Sequence, residues 1–427
     1  MVLLICASLL SCEVTPEKIE LWKGTQNGPV KIAAALADAN AAVDIRAQSA
    51  VALVQIGRWQ MLDKSFKALS DQDRQKISDA MIEMLKKNLG DVSRPGAPKK
   101  SQVDSKDAIM FIYDWLSPEK KTVAETLLNQ WITGDFNTRF LAGNHSIKKI
   151  VHKIGKSSTK ALALMIKADL IVLEQVCQLI KEEGDAESKV LASQKLAEIL
   201  KEKGKDSTDL HFKAASIIGE KPLQEQLLSM ASSEDLPEST KRFALRAYSK
   251  NPNADDVDKL FAIAGNSKND RFHREESYYA IAELGRKKDL PRLMQLLKSR
   301  DPFYRGVGFK VSLKVGGPEN LVKILSYIGS SGTKWNWKDL DEFVIDRICR
   351  HKPDFLAPML DELRKALDHQ SAFVRAAAVH VLGRKGNKND LERLNKMLKD
   401  KGKIKGFSES TVGAAAKKAA AALSKNT

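Results

Sequence analysis

The feature that most constrains this chain is a pattern that returns: an Arg, small and apolar residues at helical spacing, and a Gly eleven positions after the Arg. It runs from Arg46 to Gly57, Arg274 to Gly285, Arg305 to Gly316 and Arg375 to Gly386. Weaker copies begin at His211 and Arg242, so that leading positions 211, 242, 274 and 305 stand 31, 32 and 31 residues apart. The step from 305 to 375 is 70 residues, about two periods with an insertion. A unit of this size cannot bury its own apolar face, so copies must stack into a continuous core. Ala-rich runs such as Ala376-Ala377-Ala378 let helices approach closely, and the Gly supplies a left-handed turn at each helix end. A second amphipathic segment follows each copy: Leu290, Leu293, Leu296 and Leu297 fall on one stripe.

Composition agrees. With 13 Pro and 6% aromatic residues in 427, the chain is poor in the turn and strand formers of an all-β sandwich, and its four Cys are too few for a disulfide scaffold. The expected fold is all-α, a right-handed α-solenoid of stacked helix pairs. The repeat resembles the HEAT-repeat (armadillo-like) family, strongly over 44–69 and 211–398 and in outline over most of 28–400. That resemblance implies a non-catalytic scaffold whose default partners are proteins. It also admits two other functions found among HEAT-like proteins: a basic nucleic-acid binder (DNA-glycosylase-like or chromatin-associated) and a cofactor lyase or assembly factor. The expected layout is a signal segment at 1–12, helical repeats at 13–89, a Gly/Pro-rich linker at 90–103, the main array at 104–400, and a basic tail with a capping helix at 401–427.

The first residues read as an address. An apolar run ends in Leu9-Leu10-Ser11-Cys12 before polar Glu13, which resembles the bacterial lipobox and implies lipidation at Cys12. Leu10 is a less usual residue for that motif, and no Lys or Arg precedes the short run, which fits a start upstream of Met1. The expected location is the bacterial cell envelope, lipid-anchored and periplasmic, with membrane contact through the lipid; if the lipobox is spurious, the cytoplasm. No stretch of 18 apolar residues is present to span a bilayer. Processing at Cys12 would leave Cys177 and Cys349, either free or bridged.

Chemistry-bearing motifs are missing. The seven His form no His-Glu-x-x-His, there is no Cys-x-x-Cys, and neither a Gly-x-Ser-x-Gly nor a phosphate-binding loop occurs. Gly306-Val307-Gly308 falls inside a repeat helix with no strand before it, which removes a dinucleotide reading. No catalytic residue, metal ligand or cofactor is expected.

Two features are candidates for binding. The net charge is +16, and the last 46 residues hold 12 basic and 4 acidic groups, half of the excess. Residues 136–168 contain no carboxylate, while Lys148, Lys149, Lys153 and Lys156 form a ridge broken at Gly155. Such a ridge either grips an anionic partner or is the solvated rim of the solenoid. The second feature is Lys334-Trp335-Asn336-Trp337-Lys338, within the surplus between repeats. Its Trp pair flanked by cations either anchors a partner or folds back on the next helix pair. The stronger expectation is contact: removing both rings should weaken partner capture and leave stability unchanged.

Overall fold

The computed structural model describes residues 14–332 and 335–426. Among them there is no strand, only an isolated bridge between Lys403 and Thr411, and helices pack in neighbouring pairs as an all-α, solenoid-like fold. The chain divides into two compact units, Met1–Ile199 and Leu200–Thr427.

In the first unit Gly28–Ala37, Val43–Gln55, Asp71–Leu89 and Lys100–Ile112 pack in succession. Arg46 explains why the repeat needs an Arg. It is 3% exposed, donates from Nε to the Leu36 carbonyl at 3.0 Å, and pairs with Asp73 at 3.3 Å. One side chain thereby satisfies an orphan carbonyl at the end of the preceding helix and joins the first turn of the following one. The expected linker at 90–103 lies inside this unit and is held: Val92 is buried, Arg139 donates to the carbonyls of Val92 (2.5 Å) and Arg94 (2.8 Å), and Asp135 accepts from Gly96 N. Gly and Pro content marked an irregular path there, and buried hydrogen bonds fix that path.

Where the Arg–Gly frame degrades, a different anchor stands. Lys106 is fully buried and Asp107 is 2% exposed. The Lys106 amine donates to Asp107 (2.5 Å) and to the carbonyls of Ala142 (2.7 Å) and His145 (2.6 Å), while Asp107 accepts from the backbone of Asn144 (2.7 Å) and His145 (3.0 Å). The Trp131 ring is flanked by Lys106 (5.5 Å) and Arg139 (5.2 Å). A buried charge persists only when paired and hydrogen-bonded, and this one closes the 140–146 loop onto the helix Lys100–Ile112.

In the second unit Asp209–Ile218, Glu238–Tyr248, Arg271–Glu283 and Pro302–Gly316 pack on one another in succession as one continuous row, the inner row. Lys221–Ser232, Val257–Gly265, Leu290–Met294 and Leu321–Ser330, the outer helices, each pack on a member of that row. The frame Arg repeats its work. Arg305 donates to the carbonyls of Ser299 and Arg300 (both 3.1 Å) and pairs with Asp339. Arg375 donates to the His369 carbonyl (2.7 Å) and forks onto Asp400 (2.6 and 3.0 Å). Arg274 reaches the Ala264 carbonyl (2.7 Å) and lies over the Tyr304 ring (4.6 Å) instead of meeting a carboxylate.

Three details correct the repeat as read from sequence. The buried cation of the second weak copy is Lys241, 6% exposed and paired with Glu238; Arg242 stands one residue later over the Phe243 and Phe272 rings. The left-handed Gly is found at Gly57 (φ 71°) and Gly285 (φ 61°), but at Gly317 instead of Gly316, and Gly386 has φ −67°. The 70-residue step holds a complete helix pair, Leu321–Ser330 followed by Trp337–Leu340, a π-helical turn Asp341–Ile345, and Asp346–Cys349. The frame Arg sits four residues after the cap in Arg305 (cap Asp301) and Arg375 (cap Ser371); here the same place, four after Asn336, is Leu340. The second of the two periods expected in this step is therefore present, without an Arg at its frame place.

Glycines serve close approach as well as turns. A Cβ on Gly308 would stand 2.6 Å from Leu296 Cβ, and one on Gly306 would stand 2.8 Å from the Phe343 ring. The terminal helix Val412–Asn426 packs on Ala372–Lys385 so tightly that a Cβ on Gly383 would lie 2.6 Å from Ala419 Cβ. Gly383→Val is expected to overpack this contact and cost about 1–3 kcal/mol, read as a lower urea midpoint.

Burial is the first cause lowering the pKa of His145, His273, His351 and His380 below the usual 6.5. Burial favours the neutral ring in the fold, so the folded chain takes up these protons at lower pH than the unfolded chain, which does so near 6.5. Stability is therefore present above that pH and lost as pH falls through it. The thermal midpoint should fall between about pH 7.5 and pH 5.5; an unchanged midpoint would contradict these environments.

Candidate functional site

The Trp pair faces inward. Trp335 is 6% exposed, and the Arg305 guanidinium lies 5.0 Å above its ring. Trp337 is half-buried and packs on His380 (4.7 Å) and Phe407 (6.0 Å). The expected exposed aromatic contact is thus corrected. The segment is the lead-in to a repeat helix, and its rings pack on side chains of the helices Pro302–Gly316 and Ala372–Lys385. Lys338 is exposed; Lys334 and Cys12 lie outside the described residues.

The lysine ridge keeps little charge uncommitted. Lys148 pairs with Glu182 (2.9 Å), Lys153 with Asp114 (2.5 Å), and Lys156 with Asp185 (3.2 Å) and Glu187 (3.0 Å). Lys149 donates to the Asn144 carbonyl at 3.0 Å. Gly155 (φ 55°) breaks the ridge into Ile147–Ile154 and Lys156–Leu164. The missing carboxylates of 136–168 are supplied by neighbouring helices, and Glu182, Asp185 and Glu187 hold the Lys148 and Lys156 amines above the usual lysine range.

The inner row of the second unit presents a different surface. A cleft of about 220 Å³ is lined by Arg246, Lys250, Glu276, Tyr279, Lys310 and Lys314 among others. Counting from the frame cations Lys241, Arg274 and Arg305, the fifth residues onward are Arg246, Tyr279 and Lys310, and the ninth are Lys250, Glu283 and Lys314. Helical periodicity places these positions on one stripe of each helix, and stacking sets the stripes side by side.

Some of these charges pair across repeats: Arg246 Nε meets Glu276 at 2.9 Å, and Lys314 meets Glu283. Others do not. The Lys310 amine lies 3.8 Å from the Tyr279 ring centroid, and Tyr279 donates its hydroxyl to Glu275. Burial, followed by that bond, holds the Tyr279 phenol far above its ordinary range, so it stays neutral. Partial burial, followed by the Arg347 guanidinium, pushes the Lys310 amine below the usual lysine range. Arg347, half-exposed on Asp346–Cys349, has a buried Nε with no hydrogen-bond acceptor. Four cations and two carboxylates line the cleft, leaving a local positive surplus.

Two of the larger hollows are less suited to recognition. One, about 550 Å³ and lined by Phe136, Phe140, Leu141 and Val172, holds no charged side chain. The other, about 560 Å³, opens over Glu238 and Lys241, which are paired with each other. No group of three or more His, Cys, Asp or Glu stands together to hold a metal among the described residues. Cys177 and Cys349 are unbridged and buried, and burial pushes their thiols up to about 12 and about 11. At neutral pH such thiols are protonated and poor nucleophiles.

No protein-family model and no curated protein matches this chain.

Proposed function

We propose that this chain is a non-catalytic, HEAT-like scaffold, held in the bacterial cell envelope by a lipid on Cys12, that binds a protein partner through the inner helix row of its second unit. The observation that supports this reading is the cleft itself. Three successive repeats bring the same register positions together and leave Lys250 and Lys310 without a carboxylate at ion-pair distance among the described residues. A stack of helix pairs supplies an extended face for a partner and needs no reacting group. Acyl chains on Cys12 would hold that face near a membrane.

Two experiments test the two halves. A photo-crosslinking residue placed at Lys250 or Tyr279 in the native host should trap a protein, whereas the same residue at Asp258 or Lys323, on the outer helices, should not. Trapping only from the outer positions would overturn the binding half. Labelled palmitate should be incorporated, with incorporation abolished by Cys12→Ser; an unlabelled native protein that retains Met1 would remove the anchor and favour the nucleic-acid reading.

A further inference from the structure

We propose that two arginines of the inner row, Arg242 and Arg271, held between phenylalanine rings of successive repeats, bind an acidic stretch of an extended peptide segment of the partner. The inference rests on the reading that the inner row is the contact face, and it adds the chemistry of what is bound. The Arg242 guanidinium lies 6.0 Å from the Phe243 ring and 5.7 Å from the Phe272 ring. That of Arg271 lies 4.8 Å from Phe272 and 5.1 Å from Phe303. Phe243 in turn stacks on Phe212 at 6.0 Å, and Phe272 meets Phe303 edge-on at 5.9 Å. Rings and guanidinium groups thus alternate across Glu238–Tyr248, Arg271–Glu283 and Pro302–Gly316. Phe272 is 41% exposed and Arg271 is exposed, so this ladder opens to solvent.

Stacking on rings holds these guanidinium groups without neutralising them. Neither Arg242 nor Arg271 has a carboxylate at ion-pair distance among the described residues, in contrast to Arg246, which pairs with Glu276. A flat guanidinium laid on a ring keeps N–H groups at its edge for a planar acceptor, and a carboxylate matches that edge. The ring contact also removes freedom that a loose side chain would lose on binding. Both guanidinium groups flank the one Phe272 ring, so they are no farther apart than the sum of their two distances to it. In an extended peptide alternate side chains point to one side about 7 Å apart, which fits two acids separated by one residue. The surroundings choose among anions. The Phe272 and Phe303 rings already meet guanidinium groups, so a base would have to displace those contacts in order to stack. Asp270 and Asp301 cap the helices beside the ladder, accepting from Phe272 N (2.7 Å) and Phe303 N (2.9 Å). A polyanion laid along the repeats would pass both carboxylates, whereas a short acidic pair among uncharged residues fits between them. Tyr279 and Lys310 stand seven residues after Phe272 and Phe303, two turns along the same face, so ladder and cleft belong to one surface.

The test uses the full chain and short random peptides displayed on phage. Enriched peptides should share two acidic residues separated by one residue, with uncharged neighbours. Their affinity should fall about tenfold or more with Arg271→Gln and with Arg242→Gln, and remain with Lys148→Ala. Arg271→Lys, which keeps the charge and loses the flat fork, should fall between wild type and Arg271→Gln. Phe272→Ala, which keeps both charges and removes the ring between them, should weaken binding as well. Thermal midpoints of all variants serve as the control for folding, and Arg271→Gln, at an exposed position, decides the matter where Phe272→Ala lowers the midpoint. Enriched peptides without an acidic pair, or peptide binding indifferent to both arginine substitutions, would overturn the ladder as a binding strip. So would single-stranded DNA that outcompetes the peptides through the same two arginines. If crosslinks still arise from Lys250 and Tyr279 while the peptides carry no acidic pair, the strip fails and the contact face stands; crosslinks confined to the outer helices remove both.

Discussion

Replacing Trp335 with Ala is expected to destabilise the second unit by about 3 kcal/mol, the low end of the range for emptying a buried aromatic site. The ring is 6% exposed and lies under Arg305, whose pair with Asp339 ties the helix Pro302–Gly316 to the next repeat. Truncation leaves a void and loosens that buried pair. One effect runs the other way: Trp335 Nε1 is buried without an acceptor, so removing the ring also removes an unsatisfied donor, a relief of about 1–3 kcal/mol. The void and the loosened pair outweigh it, because dispersion contacts are lost on every side of the ring. Urea unfolding should show an earlier midpoint with little change of slope, and Trp335→Phe should recover most of the loss. A stability unchanged by Trp335→Ala would restore the reading of this segment as an exposed contact.

Replacing Lys106 with Met should cost about 3–5 kcal/mol in the first unit, because it strands Asp107 as a buried charge. Asp107 is 2% exposed and would keep its two backbone donors, Asn144 and His145, but lose its counter-charge. The carbonyls of Ala142 and His145 would lose their donor as well. The double variant Lys106→Met with Asp107→Asn should be milder than the single one, since a neutral amide oxygen still accepts from the backbone. Double-mutant analysis of thermal unfolding separates the pair from its parts. Equal losses in the single and double variants would mean that the pair charge is not what holds the 140–146 loop.

Much of the architecture was legible before any coordinates. The Arg46, Arg305 and Arg375 frames located real helices, and the 31–32 residue spacing located the inner row from Asp209–Ile218 to Pro302–Gly316. What the sequence concealed has physical reasons. The frame Arg was visible as a letter, but its task, capping one helix end and bridging to an acid distant in sequence, needed Asp73, Asp339 and Asp400 in space. Leu340 in the Arg place left the start of the second period in the 70-residue step unmarked. Ion pairs across 27 to 39 residues neutralised a ridge that local composition presents as bare.

The cleft was hidden by a single register error. With Arg242 taken as the frame residue, the columns that hold Arg246, Tyr279 and Lys310 fall out of alignment by one. With Lys241 in its place they coincide, and a stripe of charged and aromatic residues emerges at the fifth and ninth positions of three copies. Burial of Lys241 beside Glu238 is the fact that sets the register, and nothing in the dipeptide Lys241-Arg242 announces which cation is inside.

The most direct measurement compares the size of the native complex formed by three forms of the chain expressed in the native host. Wild type and a Lys148→Ala, Lys156→Ala variant should run together with a partner on size-exclusion chromatography. A Lys250→Ala, Lys310→Ala variant with an unchanged thermal midpoint should run at the mass of the free chain. Retention of the complex by the Lys250, Lys310 variant, with its loss in the Lys148, Lys156 variant, would place the contact on the first unit and contradict the assignment of the inner row.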